Sequence, residues 1–300
     1  MRGHATAAPP SNVRAVVFAG DHGVAAHGVS AYPSSVTVAM VRAFVTGVAG
    51  VSVLARQHGV ALRVLDLGVD GEFPDLDPAI GAYKVRRGSG AIHVEDAMTV
   101  EETHRALEAG RRIAAEEIAA GADLLIGGDM GIGNTTPAAA LIAGVLGLPA
   151  AEVVGRGTGI DDAALARKIE VVEAALRRAG DRVKDPVELL TALGSPDLAA
   201  QASFLAAAAE AGVPVLLDGV ISVAAATVAE FLAPGAKAWF AGGHRSTERA
   251  QWRALEALEI TPLVDVGMRL GEGSGAVVAV PLVRSAALLL SQMALLEDLM

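Results

Sequence analysis

Short runs of apolar residues alternate with longer amphipathic stretches along most of the chain. The short runs are nearly continuous in Val, Leu, Ile and Ala, which is typical of parallel β-strands that are buried on both faces of a sheet. The strands predicted in this way cover residues 14–20, 61–69, 123–130, 214–221, 237–243 and 262–267.

The longer stretches between these runs predict helices, two of which have recognisable starts. Asp161 and Asp162 place acidic side chains at one helix start, and Thr99 with Glu102 has the spacing of a capping box. The alternation of strands and helices predicts an α/β fold, a Rossmann-like parallel sheet flanked by helices on both faces. The predicted helices cover residues 36–58, 100–120, 137–146, 161–179, 198–211, 222–232 and 247–258.

Composition narrows the classes of function. The 300 residues are 52% hydrophobic, which supports one large or two modest domains with a sizeable core. The net charge of −10 offers no electrostatic attraction for nucleic acid or an anionic membrane, so neither is expected as a partner. The chain has no cysteine, which excludes disulfides and thiolate chemistry and fits a reducing, cytoplasmic location. Residues 1–10 lack the apolar stretch of a signal peptide.

The C-terminal stretch 277–296 has nearly the length that a membrane span needs. It contains Pro281, Arg284 and Gln292, however. We therefore predict a helix that is buried or lies at a subunit interface.

One carboxylate, Glu272, stands between glycines in the segment 270–276, after a predicted strand and before a long apolar helix. Ligand sites of α/β folds gather at such strand-to-helix turns. The glycines would let a flat ligand approach the backbone closely. A plain turn with a solvated glutamate is an equally good interpretation of this segment alone.

A second glycine-rich loop, residues 127–137, opens a helix and offers free amides to a phosphate. Thr136 stands where a dinucleotide fingerprint needs its third glycine, and no Walker lysine follows. The loop therefore predicts an anion site rather than an NAD or ATP site, with a tight turn plus helix cap as the alternative. Residues 155–161 form a similar loop. His22 and His244 have no further ligand at a metal spacing, so no metal is expected.

Seven segments, taken together and in order, resemble the nicotinate-nucleotide:dimethylbenzimidazole phosphoribosyltransferase family. They span the chain from about residue 14 to its end. They are FAGDHGV (18–24), GVSAYP (28–33), MGIGNTTP (130–137), GRGTG (155–159), LLDG (216–219), HRS (244–246) and MRLGEGSGA (268–276).

The resemblance implies a homodimer whose parallel-sheet large domain is joined to a small helical domain built from both chain ends. It also implies transfer of phosphoribose from nicotinate mononucleotide to a benzimidazole, in the assembly of the cobalamin nucleotide loop, with no cofactor. Glu272 matches the catalytic carboxylate, Asp129 a second carboxylate near the ribose, and Lys168 a lysine near the phosphate. The substrate-binding residues implied are Asp21, Ser30, Tyr32, Met130, Gly131, Gly133, Asn134, Thr135, Gly157, Thr158, Gly159, Lys168, Asp218 and Gly271.

The sequence departs from the family pattern in several places. Asp129 replaces a usual Glu, Gly242-Gly243 replace a usual Ala-Ser, and Ser195, Asp197, Gln201 and Ser203 stand in an altered segment. The family's N-terminal helices and their Lys-Pro-x-Gly-Ser-Leu-Gly motif have no counterpart. We therefore expect an incomplete small domain, or a recorded start that is internal to a longer chain. The expected organisation is a poorly ordered stretch 1–13, a large domain 14–276 and a C-terminal helix 277–300.

Two other functions remain open at this point. One is a nucleotide- or base-binding homologue of the same fold that has lost catalysis. The other is an unrelated Rossmann-type oxidoreductase, which the broken fingerprint at Thr136 disfavours.

Overall fold

The computed structural model describes residues 8–300. Within them lies a six-stranded parallel sheet: β1 (Val13–Gly20), β2 (Ala61–Gly68), β3 (Leu124–Met130), β4 (Val215–Leu217), β5 (Phe240–His244) and β6 (Pro262–Val264). The helices are α1 (Ser35–Val45), α2 (Gly50–His58), α3 (Val100–Ala119), α4 (Thr135–Leu146), α5 (Ala150–Val153), α6 (Asp162–Ala179), α7 (Pro186–Leu193), α8 (Pro196–Glu210), α9 (Val220–Leu232), α10 (Arg249–Leu258) and α11 (Ser274–Gln292). Short 3-10 helices lie at Gly23–His27, Pro78–Gly81, Gly180–Lys184, Ala236–Trp239 and Leu296–Leu299. The predicted α/β class is confirmed.

The strand order across the sheet is β2-β1-β3-β4-β5-β6. The chain places β2 on one side of β1 and then crosses back to add β3 and the later strands on the other side. The connections that leave the carboxyl ends of β1 and β3 therefore diverge and open a crevice, where ligands of such sheets bind. Phe18 pairs with Asp129 across these strands, so the residues that follow each of them line the crevice.

Successive residues of β1 point to opposite faces of the sheet, as the strand repeat requires. Val16 and Phe18 belong to one buried cluster, and Val17 and Ala19 to the other. The ring of Phe18 meets that of Phe204 on α8 edge to face, with centroids 5.3 Å apart. Burial on both faces explains why the strand leaves an unbroken apolar run in the sequence.

Three predicted strands are shorter in the structure. The run 214–221 contains only the strand Val215–Leu217, because the chain turns at Gly219 and begins the buried helix α9 at Val220. The run 237–243 begins with a 3-10 helix, and 262–267 is a strand only to Val264. An apolar run looks the same whether it is buried as a strand or as a helix, so periodicity alone does not separate the two.

The helix predicted over residues 36–58 consists of two helices. Gly47 has φ of 79° and ends α1, after which α2 begins at Gly50. The break directs the amino end of α2 to the carboxyl edge of the sheet.

One unpredicted helix, α7, has a start that the sequence does encode. Asp185 accepts hydrogen bonds from the amides of Val187 and Glu188, and Pro186 occupies the first turn. The predicted capping box of α3 is confirmed, since Thr99 and Glu102 bond each other's amides.

The described residues nearest the N-terminus contact the C-terminal helix. Residues 1–7 of the stretch expected to be poorly ordered lie outside the described residues, whereas Ser11 and Asn12 donate to Asp123. Arg284 of α11 donates to the carbonyls of Pro10 and His58.

Helix α11 runs through the expected boundary at residue 276 without a break. Its length and composition would allow it to cross a membrane, and the same holds for the stretch Ser35–His58. The first part of α11 is buried on the sheet, and its second part exposes a row of leucines.

Candidate active site

The carboxyl edge of the sheet brings four loops together. The loops after β1, β4 and β6 carry Asp21, Asp218 and Glu272, and the fourth, after β3, begins next to Asp129 at the end of that strand. All four carboxylates are buried. Buried carboxylates are costly unless something compensates for their charge, so the contacts of each one indicate what it does.

The turn that carries Glu272 has an unusual backbone. Gly271, Glu272 and Gly273 have φ of 78°, 67° and 96°, all in the left-handed region that glycine adopts freely and glutamate rarely does. Such a conformation costs on the order of 1–3 kcal/mol in a non-glycine residue. The Asp218 carboxylate offsets this cost, because it accepts hydrogen bonds from the amides of Gly273 at 3.0 Å and Gly275 at 2.7 Å.

Asp218 was expected to bind substrate; in the structure both its oxygens accept from backbone amides at the start of α11, so its carboxylate holds the turn that carries Glu272. His244 stands behind it, with Nε2 3.5 Å from Asp218 Oδ1. Burial lowers the pKa of His244, but the Asp218 carboxylate outweighs burial and raises it overall. A protonated His244 would balance the charge of Asp218.

The Glu272 carboxylate points toward the start of α2. Its Oε2 accepts a hydrogen bond from the Val51 amide at 2.9 Å, and only 7% of the residue is exposed. Burial raises the pKa of Glu272 above the ordinary glutamate value; the Val51 amide opposes this rise, and the nearby Asp218 charge adds to it. A carboxylate with a raised pKa is a competent proton acceptor near neutral pH.

Asp129 forms a pair with a second buried carboxyl group, Asp197 at the start of α8. Asn134 donates to Asp129 Oδ1 at 2.6 Å. Burial and the negative charge of Asp197 raise the pKa of Asp129 well above its ordinary value, while Asn134 acts in the opposite direction. Within residues 8–300, Asp129 Oδ2 and both Asp197 oxygens have no hydrogen-bond donor. One proton held between the two carboxyl groups would satisfy two of these three oxygens, since ionised carboxylates only accept.

Asp197 also lies near other polar groups that sequence reasoning did not assign to the site. His22 Nε2 is 3.6 Å from Asp197 Oδ2, and the Gln201 amide donates to the Gly128 carbonyl at 3.2 Å. Gly20 has no side chain, and a β-carbon there would collide with Asp197. Asp197 and Gln201 are departures from the family pattern, and this was the only signal in the sequence that pointed to them.

The carboxyl pair predicts a pH-dependent effect on stability. A carboxyl group whose pKa is raised by folding stabilises the folded state below its unfolded pKa and loses that contribution as pH rises through the folded pKa. We therefore expect Asp129→Asn to raise the free energy of unfolding by on the order of 1–2 kcal/mol at pH 8, with the gain shrinking toward pH 4. Urea denaturation between pH 4 and 8 measures this.

The exposed Asp75 provides the control for that experiment, because its pKa is lowered by Arg42. Asp75→Asn should give no such gain at pH 8. An Asp129→Asn protein that is less stable than the parent at every pH would contradict the shared proton.

The glycine-rich loop after β3 meets the loop 155–159 at Lys168. Lys168 is buried, and its Nζ donates to Thr135 Oγ1 at 2.7 Å and to the Gly155 carbonyl at 3.2 Å. Burial lowers the pKa of Lys168 to about 8, although the Glu248 charge opposes this. Gly131 packs against the Gly20 carbonyl and His22, and Gly133 has φ of 90°, so the loop is closely built onto β1.

Glu248, at the start of α10, was not expected at this site. Its Oε1 accepts a hydrogen bond from the Gly157 amide at 2.8 Å. Beside this contact lies a cavity of about 440 Å³, lined by the loop 155–159 and by three arginines, Arg156, Arg249 and Arg269. The amide that sequence reasoning offered to a phosphate is thus held by a carboxylate here, next to a cationic cavity.

The loop after β1 reaches the same region. Ser30 Oγ lies 3.4 Å from Thr158 Oγ1, and the Ala31 amide donates to Thr158. Tyr32 is exposed, and Asp21 accepts a hydrogen bond from the Asp70 amide at 2.8 Å. Asp21 thus faces the β2 side of the crevice, away from the two glycine loops. Two further predicted site residues are Met130, at the end of β3, and Gly159, in the loop 155–159.

Comparison with known proteins agrees with this arrangement. A model of the phosphoribosyltransferase family matches residues 1–299. The nicotinate-nucleotide–dimethylbenzimidazole phosphoribosyltransferase of Mycolicibacterium paratuberculosis is 57% identical over 281 residues, which are 94% of this chain and 80% of that protein. Its namesake in Corynebacterium efficiens is 53% identical over 285 residues, 95% of this chain and 76% of that protein. The chain belongs to this family.

Solved structures of the family share the fold. CobT from Thermus thermophilus superposes with a TM-score of 0.90 at 47% identity, covering 94% of this chain and 84% of that one. A nicotinate-nucleotide–dimethylbenzimidazole phosphoribosyltransferase from the same organism gives 0.91 at 44% identity, covering 97% and 86%. The resemblance read from the seven motifs is confirmed, and the oxidoreductase alternative loses its support.

The fold gathers most of the predicted site residues into two clusters, a carboxylate cluster and a lysine cluster. Glu272, Asp129 and Asn134 lie at the crevice edge, where the turn before α11 packs on Gly128 of β3. The lysine cluster consists of Lys168, Thr135 and the loop 155–159. Both are reached from the same edge of the sheet. Among the described residues, no group of three His, Asp or Glu side chains could hold a metal ion.

Proposed function

We propose that this protein transfers phosphoribose from nicotinate mononucleotide to 5,6-dimethylbenzimidazole or a related azole base, giving α-ribazole 5′-phosphate and nicotinate. The observation that carries the proposal is the buried Glu272, held in a left-handed turn at the edge of the crevice. Such a carboxylate suits a reaction in which a ring N–H must be deprotonated. Family membership and the enzyme name that the relatives carry support the same reaction.

In the proposed reaction, one ring nitrogen of the base attacks the anomeric carbon of the ribose. The bond from that carbon to the nicotinate nitrogen breaks, and its electron pair stays on the pyridine, which loses its positive charge. The other ring nitrogen gives its proton to Glu272. Positive charge develops on the ribose in between, and the negative charge that Asp129 shares with Asp197 would stabilise it.

The phosphate of nicotinate mononucleotide is proposed to bind at the lysine cluster, formed by Lys168, Thr135 and the loop 155–159. The amides of Gly133 and Thr135 at the start of α4 and the Lys168 ammonium offer donors to an anion there, whereas the amides of Ile132, Asn134 and Thr136 are bonded within the protein. The arginines around the neighbouring cavity add positive charge. This separates the anchored phosphate from the carboxylates at which the chemistry occurs.

A turnover assay tests the proposal. Purified protein is given nicotinate mononucleotide with dimethylbenzimidazole, and in parallel with a panel of other azoles, and nicotinate and ribazole phosphate are quantified. Equal amounts of both products support the transferase. A protein that binds both substrates and forms neither product would instead be a binding homologue that has lost catalysis.

We also propose that the protein works as a homodimer in the cytoplasm. The second half of α11 exposes Leu289 and Leu290 at 62% and 61%, and Met293, directly after the helix, is 72% exposed. An apolar row of this kind needs a covering surface in water, and a second copy of the chain would provide it. The thiol-free composition suits a reducing compartment.

The dimer makes a prediction for light scattering. At micromolar concentration the parent protein should have the mass of two chains, and Leu290→Glu should give monomer or aggregate, because it places a charge in the apolar row. Gln292→Glu on the same helix is the control and should leave the mass unchanged. A stable, soluble monomer of the parent protein would contradict the homodimer.

A further inference from the structure

The start of α2 is the nearest hydrogen-bond donor to the Glu272 carboxylate. The Val51 amide donates to Glu272 Oε2 in a contact that is buried and joins residues 221 positions apart in the chain. Oε2 is also 3.2 Å from the point where Gly50 would carry a β-carbon. The first turn of α2 thus lies directly against the carboxylate.

This placement has an electrostatic consequence. The first amides of a helix have no partner inside the helix, and the positive end of the helix dipole favours a nearby anion. Helix α2 has nine residues, enough for an aligned dipole. The Val51 amide, and to a smaller extent the Gly50 amide, therefore stabilise the ionised form of Glu272, in opposition to burial.

The other charged groups near Glu272 lie at the ends of three strands and on α2 itself. Asp218 after β4 repels its charge, with His244 of β5 behind Asp218. Asp129 follows Gly128 of β3, on which the Glu272 backbone packs. Arg56 of α2 is turned to the Gly47 carbonyl. The start of α2 is thus the group that favours the negative charge of Glu272 by direct contact.

We propose that the amides at the start of α2 position Glu272 and set the pH range in which it can accept a proton from the azole base. The inference rests on the proposed role of Glu272 as the base. It assigns a function to the break between α1 and α2: a continuous helix through residues 46–49 would leave no free amide to face the carboxylate.

Val51→Pro tests this, because proline removes the N–H, is close to valine in volume and is tolerated in the first turn of a helix. The preceding Gly50 lacks the β-carbon with which proline would clash. The readout is the pH profile of kcat/KM. Without the donor, the acidic limb should move upward by about one pH unit, while turnover above the limb equals or exceeds that of the parent.

Val51→Ala is the matched control, since it shortens the side chain and keeps the N–H; its acidic limb should stay in place. If Val51→Pro does not fold, the same N–H can be replaced by an ester oxygen through cell-free synthesis with the α-hydroxy analogue of valine. Circular dichroism and thermal unfolding establish that each protein is folded.

The outcomes separate the two proposals. An acidic limb that moves only when the N–H is lost supports the inference. If the acidic limb of Val51→Pro stays in place while Glu272→Gln is inactive, the role of α2 is overturned and Glu272 remains the base. A folded Glu272→Gln protein with parental activity overturns the proposed base itself.

Discussion

Glu272→Gln should cut turnover by about two to four orders of magnitude, the usual effect of losing a general base. Glutamine keeps an oxygen for the Val51 amide, and the Asp218 contacts with the turn do not involve the side chain of residue 272. The fold should therefore survive, and the loss should lie in turnover rather than in binding of the donor. Steady-state product formation together with unfolding curves measures both.

Glu259→Gln is a closely matched control. Glu259 is the other non-glycine residue with positive φ among those the structure describes, at 61°, and its carboxylate pairs with Lys237 at the surface. It shares the residue type and the backbone region with Glu272 but lies away from the crevice. It should keep parental turnover. A folded Glu272→Gln protein with parental turnover would show that another group takes the proton.

Replacement of Lys168 by methionine should weaken binding of nicotinate mononucleotide by about ten- to a hundredfold, the value of a hydrogen bond to a charged group. Methionine fills the space of the aliphatic stem, so the buried position should stay packed. Binding of the azole base alone should change little, because the proposed phosphate-binding site is separate from the carboxylates. Calorimetric titration of each substrate gives the two affinities.

The same lysine predicts a pH dependence of donor binding. Burial lowers the pKa of Lys168 to about 8, so the ammonium is present below that pH and is lost as pH rises through it. Donor affinity of the parent protein should therefore decline above pH 8, and this decline should be absent from Lys168→Met. Arg177→Met, at the exposed far end of α6, controls for the loss of one positive charge. Equal weakening by both variants would make Lys168 an ordinary solvated lysine.

The altered segment around Asp197 changes how the second carboxylate is understood. In the sequence it was only a departure from the family pattern. In the structure, Asp197 and Asp129 are a buried pair that can hold one proton between them, and His22 and Gln201 fill the space around it. The shorter Asp129 is thus accompanied by a second carboxyl group from α8.

The sequence by itself determined the fold class, the family and the position of Glu272. Buried parallel strands require unbroken apolar runs, and the close approaches at the strand ends require glycines, so both leave local marks that can be read without neighbours. The capping box at Thr99 and the turn at 270–276 are local in the same sense. Each depends on residues a few positions apart.

Only the tertiary structure decided what surrounds these residues. The Val51 amide reaches Glu272 from 221 positions away, Glu248 reaches Gly157 from 91, and Asp197 meets Asp129 through a helix whose sequence carries no catalytic pattern. A backbone amide has no identity in a sequence, and a buried carboxylate looks like an exposed one. Their pKa values and partners arise from burial and from contacts between distant segments, which exist only once the sheet has assembled.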